Sequence, residues 1–168
     1  MQEHGVGTAV APRRRAGLVI AIAAAVIAVD QITKTWAVNT LATRDIDVVG
    51  SLRFRLAHNR GAAFSFAPGG GGLVAILAVV VVIVLIAVGR SLDTRLGVFS
   101  LALVLGGALG NLTDRALREG SGFFGGAVID FIDVQWWPIF NVADAAVSIG
   151  GVLLVLTSMK EPAKEPAG

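Results

Sequence analysis

Whatever chemistry this chain performs must come from its aspartates, because the other usual catalytic groups are missing or badly placed. It contains no cysteine, which excludes disulfides, thiolate metal sites, a sulfur nucleophile and lipid attachment through sulfur. Its histidines are His4, near the start, and His58. A Ser/His/acid triad would rest on His58 alone, with no acidic partner at a suggestive spacing, so a surface histidine is the expected reading. A zinc site lacks ligands. What remains is Asp114, Asp130, Asp133 and Asp144. Two carboxylates held close together share one proton. The ionised member then takes a proton from water while the protonated member donates to a carbonyl. Such a dyad hydrolyses amides with neither metal nor cofactor. Asp144 stands out as an acid at the mouth of an otherwise apolar segment. Spacing leaves its partner open between Asp114 and Asp130.

The elements that position these groups are membrane helices. Of the 168 residues, 55% are hydrophobic and 15% charged, and mean hydropathy is +0.76. Soluble domains carry about 25% charge, so the apolar excess must face lipid. Spans of about 20 apolar residues are expected at about 17–36, 72–89, 96–114 and 138–159. Leu73 to Val88 contains no polar side chain. Residues 1–16 and the KEPAKEPAG tail, 160–168, read as disordered cytoplasmic ends, and neither the tail nor the glycines at 69–72 suggest a role. Arg13-Arg14-Arg15 before an apolar run also resembles a signal peptide, but no small-residue cleavage site closes the run. The fold class expected is an all-α integral membrane protein, a four-helix bundle with a small extracytoplasmic β element.

Polar residues gather at one end of these spans. Asp30 and Lys34 end the first, Asn59 precedes the second, Asn111, Asp114 and Arg115 end the third, and Asn141 and Asp144 open the fourth. Antiparallel spans bring all of them to one level of one leaflet. Ionisable groups in hydrocarbon cost about 2.5–3.5 kcal/mol each on insertion scales, so their convergence points to a polar site. Gly107, Asn111 and Asp114 or Arg115 share a helix face. Gly106 and Gly110 form a GxxxG pair that favours close packing. Asp30 and Lys34, at i and i+4, suit an ion pair, read either as a structural bridge with Lys34 reaching toward headgroups or as substrate positioning. Asp114-Arg115 reads as a second structural pair.

Orientation follows the arginine cluster at 13–15, which places the N-terminus in the cytoplasm and the polar cluster outside. The total of basic residues is balanced, seven on each side, so the cluster decides. It also explains the sequence pI near 9.7 without nucleic acid. In the first external loop, Ile46, Val48, Leu52, Phe54 and Leu56 alternate with polar residues, predicting strands with one apolar face around a Gly50-Ser51 turn. That face could rest on lipid or cover a site.

Five blocks in this order resemble the lipoprotein signal peptidase (signal peptidase II) family. They are Asp30-Gln31-Ile32-Thr33-Lys34, Asn59-Arg60-Gly61-Ala62-Ala63-Phe64-Ser65, Gly106 through Arg115, Val128-Ile129-Asp130-Phe131, and Phe140-Asn141-Val142-Ala143-Asp144. The resemblance implies that Asp130 and Asp144 are the catalytic dyad. It further implies that Asp30, Lys34, Asn59, Asn111, Asp114, Arg115 and Asn141 line or brace the site. It implies a bacterial plasma-membrane enzyme that cuts before the lipidated cysteine of diacylglyceryl prolipoproteins, in contact with membrane lipid and open to globomycin-type inhibitors. A proton- or ion-coupled transporter using the same aspartates is the alternative. It would need polar residues at several depths, whereas the inner halves here are almost wholly apolar. A purely structural GxxxG protein would leave Asp30, Asp130 and Asp144 no reason to converge.

Overall fold

A computed structural model of the chain describes residues 12–61, 70–89, 92, 94–120 and 124–159. Residues 1–11 of the expected disordered start, the Ala62–Ser65 end of the second block, Pro68 and the KEPA tail lie outside these residues, whereas 12–16, expected to be disordered, belong to the first helix.

The elements run α1 (Pro12–Thr40), β1 (Ile46–Val49), β2 (Leu52–Asn59), α2 (Gly70–Gly89), α3 (Arg95–Leu117), β3 (Val128–Asp133) and α4 (Val142–Ser158). α1 begins five residues before the expected span. Proline suits a first helical position because its missing N–H has no partner there anyway. The side chain of Thr94 caps α3, accepting from the Gly97 N–H at 3.1 Å. α1 and α3 are long and apolar enough to cross a membrane, while Ala75–Ala87 and Val142–Ser158 are shorter apolar stretches. α4 opens at Val142 rather than near 138, because Phe140 is bridged to β3. The Phe131 and Ile132 N–H groups both donate to the Phe140 carbonyl, at 3.0 and 2.8 Å.

α3 is the central helix, with α1, α2 and α4 all packed against it. Small residues set the spacing. A Cβ at Gly106 would fall 2.8 Å from Val26 Cβ of α1, and one at Gly107 would strike the Ala143 carbonyl of α4. The GxxxG pair is therefore a packing device, as its spacing suggested, with Gly107 adding a second face. α2 touches mainly α3, and Ile76, Leu77, Val80, Val81, Ile83 and Val84 are exposed along it.

The expected small β element is present but larger than the first loop alone. The chain is mostly helical but holds a three-stranded antiparallel sheet, ordered β1-β2-β3. Its third strand comes from the α3–α4 connection and not from the first loop. The hairpin turns at Gly50, whose φ is +56°, and pairs Ile46 with Phe54. β2 then pairs Phe54 with Ile132 and Ala57 with Asp130. Ile46, Phe54, Leu56 and Ile132 pack over Ala37, Leu41, Ile129 and Phe131. Trp36 meets Phe54 and Phe131 edge-on, with centroids 5.4 and 6.0 Å away. The alternating face thus covers the end of α1. Val48, expected on that face, is about half exposed because the register shifts between Asp47 and Val49.

Candidate active site

Asp144 enters the site through the way α4 begins. Asn141 caps the helix, its Oδ1 accepting from the Asp144 N–H at 2.9 Å, while Asp144 Oδ2 accepts from the Asn141 N–H at 3.2 Å. This reciprocal box satisfies two helix N–H groups that would otherwise lack partners. It also fixes the carboxylate at the third residue of the helix. Asp144 Oδ1 accepts from Asn111 Nδ2 at 2.8 Å.

Asp130 arrives from β3. Its Oδ1 accepts from Asn141 Nδ2 at 2.7 Å, and its Oδ2 from Asn59 Nδ2 at 3.0 Å. Asn141 therefore holds both aspartates, one by its side-chain amide and one by its cap. Asp130 is 3% exposed. Burial pushes its carboxyl up to about 6, with the neighbouring Asp144 charge acting in the same direction and the Asn59 and Asn141 hydrogen bonds opposing.

The other aspartates are engaged elsewhere. Lys34 Nζ lies 2.8 Å from both Asp30 Oδ2 and Asp114 Oδ2 and donates to Asn111 Oδ1 at 2.9 Å. It is fully buried, so it points into the bundle and not toward headgroups. Asp30 Oδ1 accepts from the Ala143 N–H of α4 at 3.0 Å. Asp114 accepts from Lys34, from Arg118 Nε at 2.7 Å, from the Ile129 N–H at 3.1 Å and from Gln31 Nε2 at 3.2 Å. With both oxygens doubly engaged, Asp114 has no lone pair left for acid–base work. Asp133 lies on the opposite strand face from Asp130. There a 2.7 Å bond from Arg53 Nε holds its carboxyl below the usual value.

The expected Asp114-Arg115 pair does not form; Arg118, at i+4, takes that place. Arg115 is buried, and its Nη1 has no hydrogen-bond partner among the described residues. It lines a cavity of about 270 Å³ together with Asn59, Asn111, Leu112, Val128 and Asp144. Asp130, itself buried, is bonded to the Asn59 amide on the cavity wall. His58 is exposed on β2, as a surface histidine should be. Sequence reasoning passed over Gln31 and Arg118 as braces of Asp114. The i, i+4 spacing of Asp114 and Arg118 carried that signal; Gln31, which also donates to Asp30 and the Gly110 carbonyl, carried none beyond lying beside Asp30.

A polar cluster closed at one end of apolar helices, with two aspartates joined through one asparagine, is an arrangement suited to proton-shared hydrolysis. Comparison with known proteins points the same way. Residues 22–160 match the profile of the family described as Signal peptidase (SPase) II. A lipoprotein signal peptidase of Rhodococcus jostii is 44% identical over 144 residues, covering 84% of this chain and 72% of that protein. The lipoprotein signal peptidase of Mycobacterium leprae is 40% identical over 153 residues, covering 90% and 76%. A bacterial membrane enzyme solved by the in meso method at 1.9 Å superposes with a TM-score of 0.75 at 28% identity, covering 87% of this chain and 95% of that one. Over most of its length, then, this chain belongs to the signal peptidase II family of aspartic peptidases, which process lipoprotein precursors in the bacterial membrane.

Proposed function

We propose that Asp130 and Asp144 form the catalytic dyad, cutting a diacylglyceryl prolipoprotein just before its lipidated cysteine. The observation that carries this reading is the Asn141 link: one residue bonds both carboxylates, while Asp30, Asp114 and Asp133 are each held by cations. The raised Asp130 supplies the shared proton. Asp144 takes a proton from the attacking water, and Asp130 donates to the scissile carbonyl as the C–O bond forms. The tetrahedral intermediate then breaks its C–N bond: the proton gathered by Asp144 leaves on the amine, and one hydroxyl of the intermediate returns its proton to Asp130, giving the carboxylic acid and the starting dyad. Arg115 Nη1, buried at the cavity wall, is the donor available to the developing oxyanion. Asn59, Asn111 and Asn141 orient the dyad, and Asp30, Lys34 and Asp114 brace the helices beneath it.

In this reading α1 to α4 are four spans, both termini are cytoplasmic, and the site opens at the outer face of the plasma membrane. A signal peptide is itself a membrane helix, and its lipid holds the cysteine near the interface where the dyad would meet it. A polar cavity there can satisfy backbone groups freed when the helix unwinds to be cut. Globomycin-type inhibitors belong to the same cavity by family membership.

The test is accumulation of uncut diacylglyceryl prolipoprotein in cells that depend on a variant, scored beside its membrane abundance. Asp130→Asn and Asp144→Asn should each abolish cleavage at near-normal abundance, and the double variant should be no worse than either single. Asp114→Asn should lose abundance more than turnover. Normal cleavage by Asp130→Asn with a folded, inert Asp114→Asn would reassign the partner of Asp144.

A further inference from the structure

Toward the arginine end of the helices lies a second crevice, which the proposed catalytic steps do not use. α1 and α2 both pack on α3 but scarcely on each other. The gap between them encloses about 530 Å³ and is walled by Val19 and Ile20 of α1, Val82 and Ile86 of α2, and Val98 and Leu101 of α3, with Arg15 among the residues that line it. The lining continues along α3 to Leu109. Between Val98 and Leu109 an α-helix rises about 16 Å, close to the roughly 15 Å depth of one hydrocarbon leaflet. Within that stretch Gly106 admits Val26 and Ala23 of α1 into contact, so α1 and α3 close together beside the gap.

The open end is basic. Arg15 donates through Nη1 to the Leu92 carbonyl at 2.8 Å, which seats its guanidinium at the mouth. Arg14 and Arg95, near Arg15 and Leu92 in sequence, are both exposed. An apolar slot one leaflet deep with Arg14, Arg15 and Arg95 near its mouth is complementary to one ligand chemistry, an acyl chain beneath an anionic headgroup. We propose that this crevice is a binding site for a single anionic phospholipid of the leaflet at the arginine end, one chain lying between α1 and α2. The lipid supplies the contact that α2 lacks with α1 and so fixes α2 against the bundle.

Thermal unfolding of the full chain in neutral detergent tests this, with phosphatidylglycerol or phosphatidylcholine added at matched concentration. Phosphatidylglycerol should raise the Tm by several degrees and phosphatidylcholine by much less. Exchanging both Arg14 and Arg15 for glutamine should erase the difference. Val19→Trp, and separately Ile86→Trp, should fill the slot and remove the phosphatidylglycerol effect, two independent walls guarding against one misfolded variant. Equal shifts from the two lipids would reduce the crevice to ordinary annular contact and overturn the proposal. So would a phosphatidylglycerol effect that survives both tryptophans. A photocrosslinker at position 19 that captures prolipoprotein and not lipid would assign the slot to the apolar segment of the substrate instead.

Discussion

Lys34 illustrates how much one buried charge can organise. Its ammonium joins two carboxylates and Asn111 with no exposure to solvent. Removing one partner of such a cluster strands a buried charge, at a cost of about 3–5 kcal/mol. Lys34→Ala should therefore lower the Tm and membrane abundance steeply, and Lys34→Arg should be milder. Wild-type Tm, abundance and turnover in Lys34→Ala would contradict the bracing role. Asp130 offers a second residue-scale test. Its folded value is raised, so the fold favours its neutral form; that contribution is complete below 3.8 and is lost as pH rises through about 6. If Asp130 carries the dyad proton, kcat/KM should decline about tenfold per unit above an inflection near pH 6. The Asn59 bond favours the ionised form, so Asn59→Leu should move that inflection to higher pH. An unmoved inflection would show that another group sets it.

Among the elements, the α3–α4 contact decides whether Asn111 reaches Asp144. Ala143 of α4 sits directly on Gly107 of α3, and Gly110 faces Asp30 Oδ2, 2.8 Å from where a Cβ would stand. Gly107→Ala should force the helices apart and cost about 1–3 kcal/mol, with cleavage reduced further because Asn111 and Asp144 separate. Gly151, on the same α4, has nothing within 4 Å of the place a Cβ would occupy. Gly151→Ala should thus be neutral or stabilising by about 0.5–1 kcal/mol through helix propensity. Unfolding midpoints and turnover measured side by side separate the two; equal behaviour would mean that contact at Gly107 is not limiting. The sheet matters for the same reason. β3 carries Asp130, and the pairing of Asn59 with Val128 brings the Asn59 side chain within reach of it.

At the scale of the whole molecule, charge and hydropathy divide the chain into a basic end and a site end. Trp136 and Trp137 stand exposed at the site end, in the connection between β3 and α4, where interfacial aromatics are favoured. The cysteine-free background allows orientation to be read directly. Ser51→Cys, in the hairpin turn, should react with an impermeant maleimide in intact cells, and Ala163→Cys only after permeabilisation. Labelling of position 163 in intact cells would invert the proposed topology.

Much of this was legible in the sequence because hydropathy and helix spacing are local properties. The apolar stretches, the Asp30-Lys34 spacing, the glycine contacts and the Gly50 turn all follow from residues within one or two turns of each other. The inventory of aspartates and the absence of cysteine likewise limited the chemistry before any fold was known. Contacts across the chain were another matter. That β3 joins the hairpin depends on a pairing between residues about 70 to 80 positions apart, which no local pattern encodes. Lys34 turns inward because Asp114, 80 residues away, completes its shell, whereas a lone lysine at a span end would reach for water. Asp114 and Asp130 look equivalent as partners for Asp144 by spacing. Only tertiary packing separates them, by filling the oxygens of Asp114 with Lys34 and Arg118 and by tying Asp130 to the asparagine that caps α4.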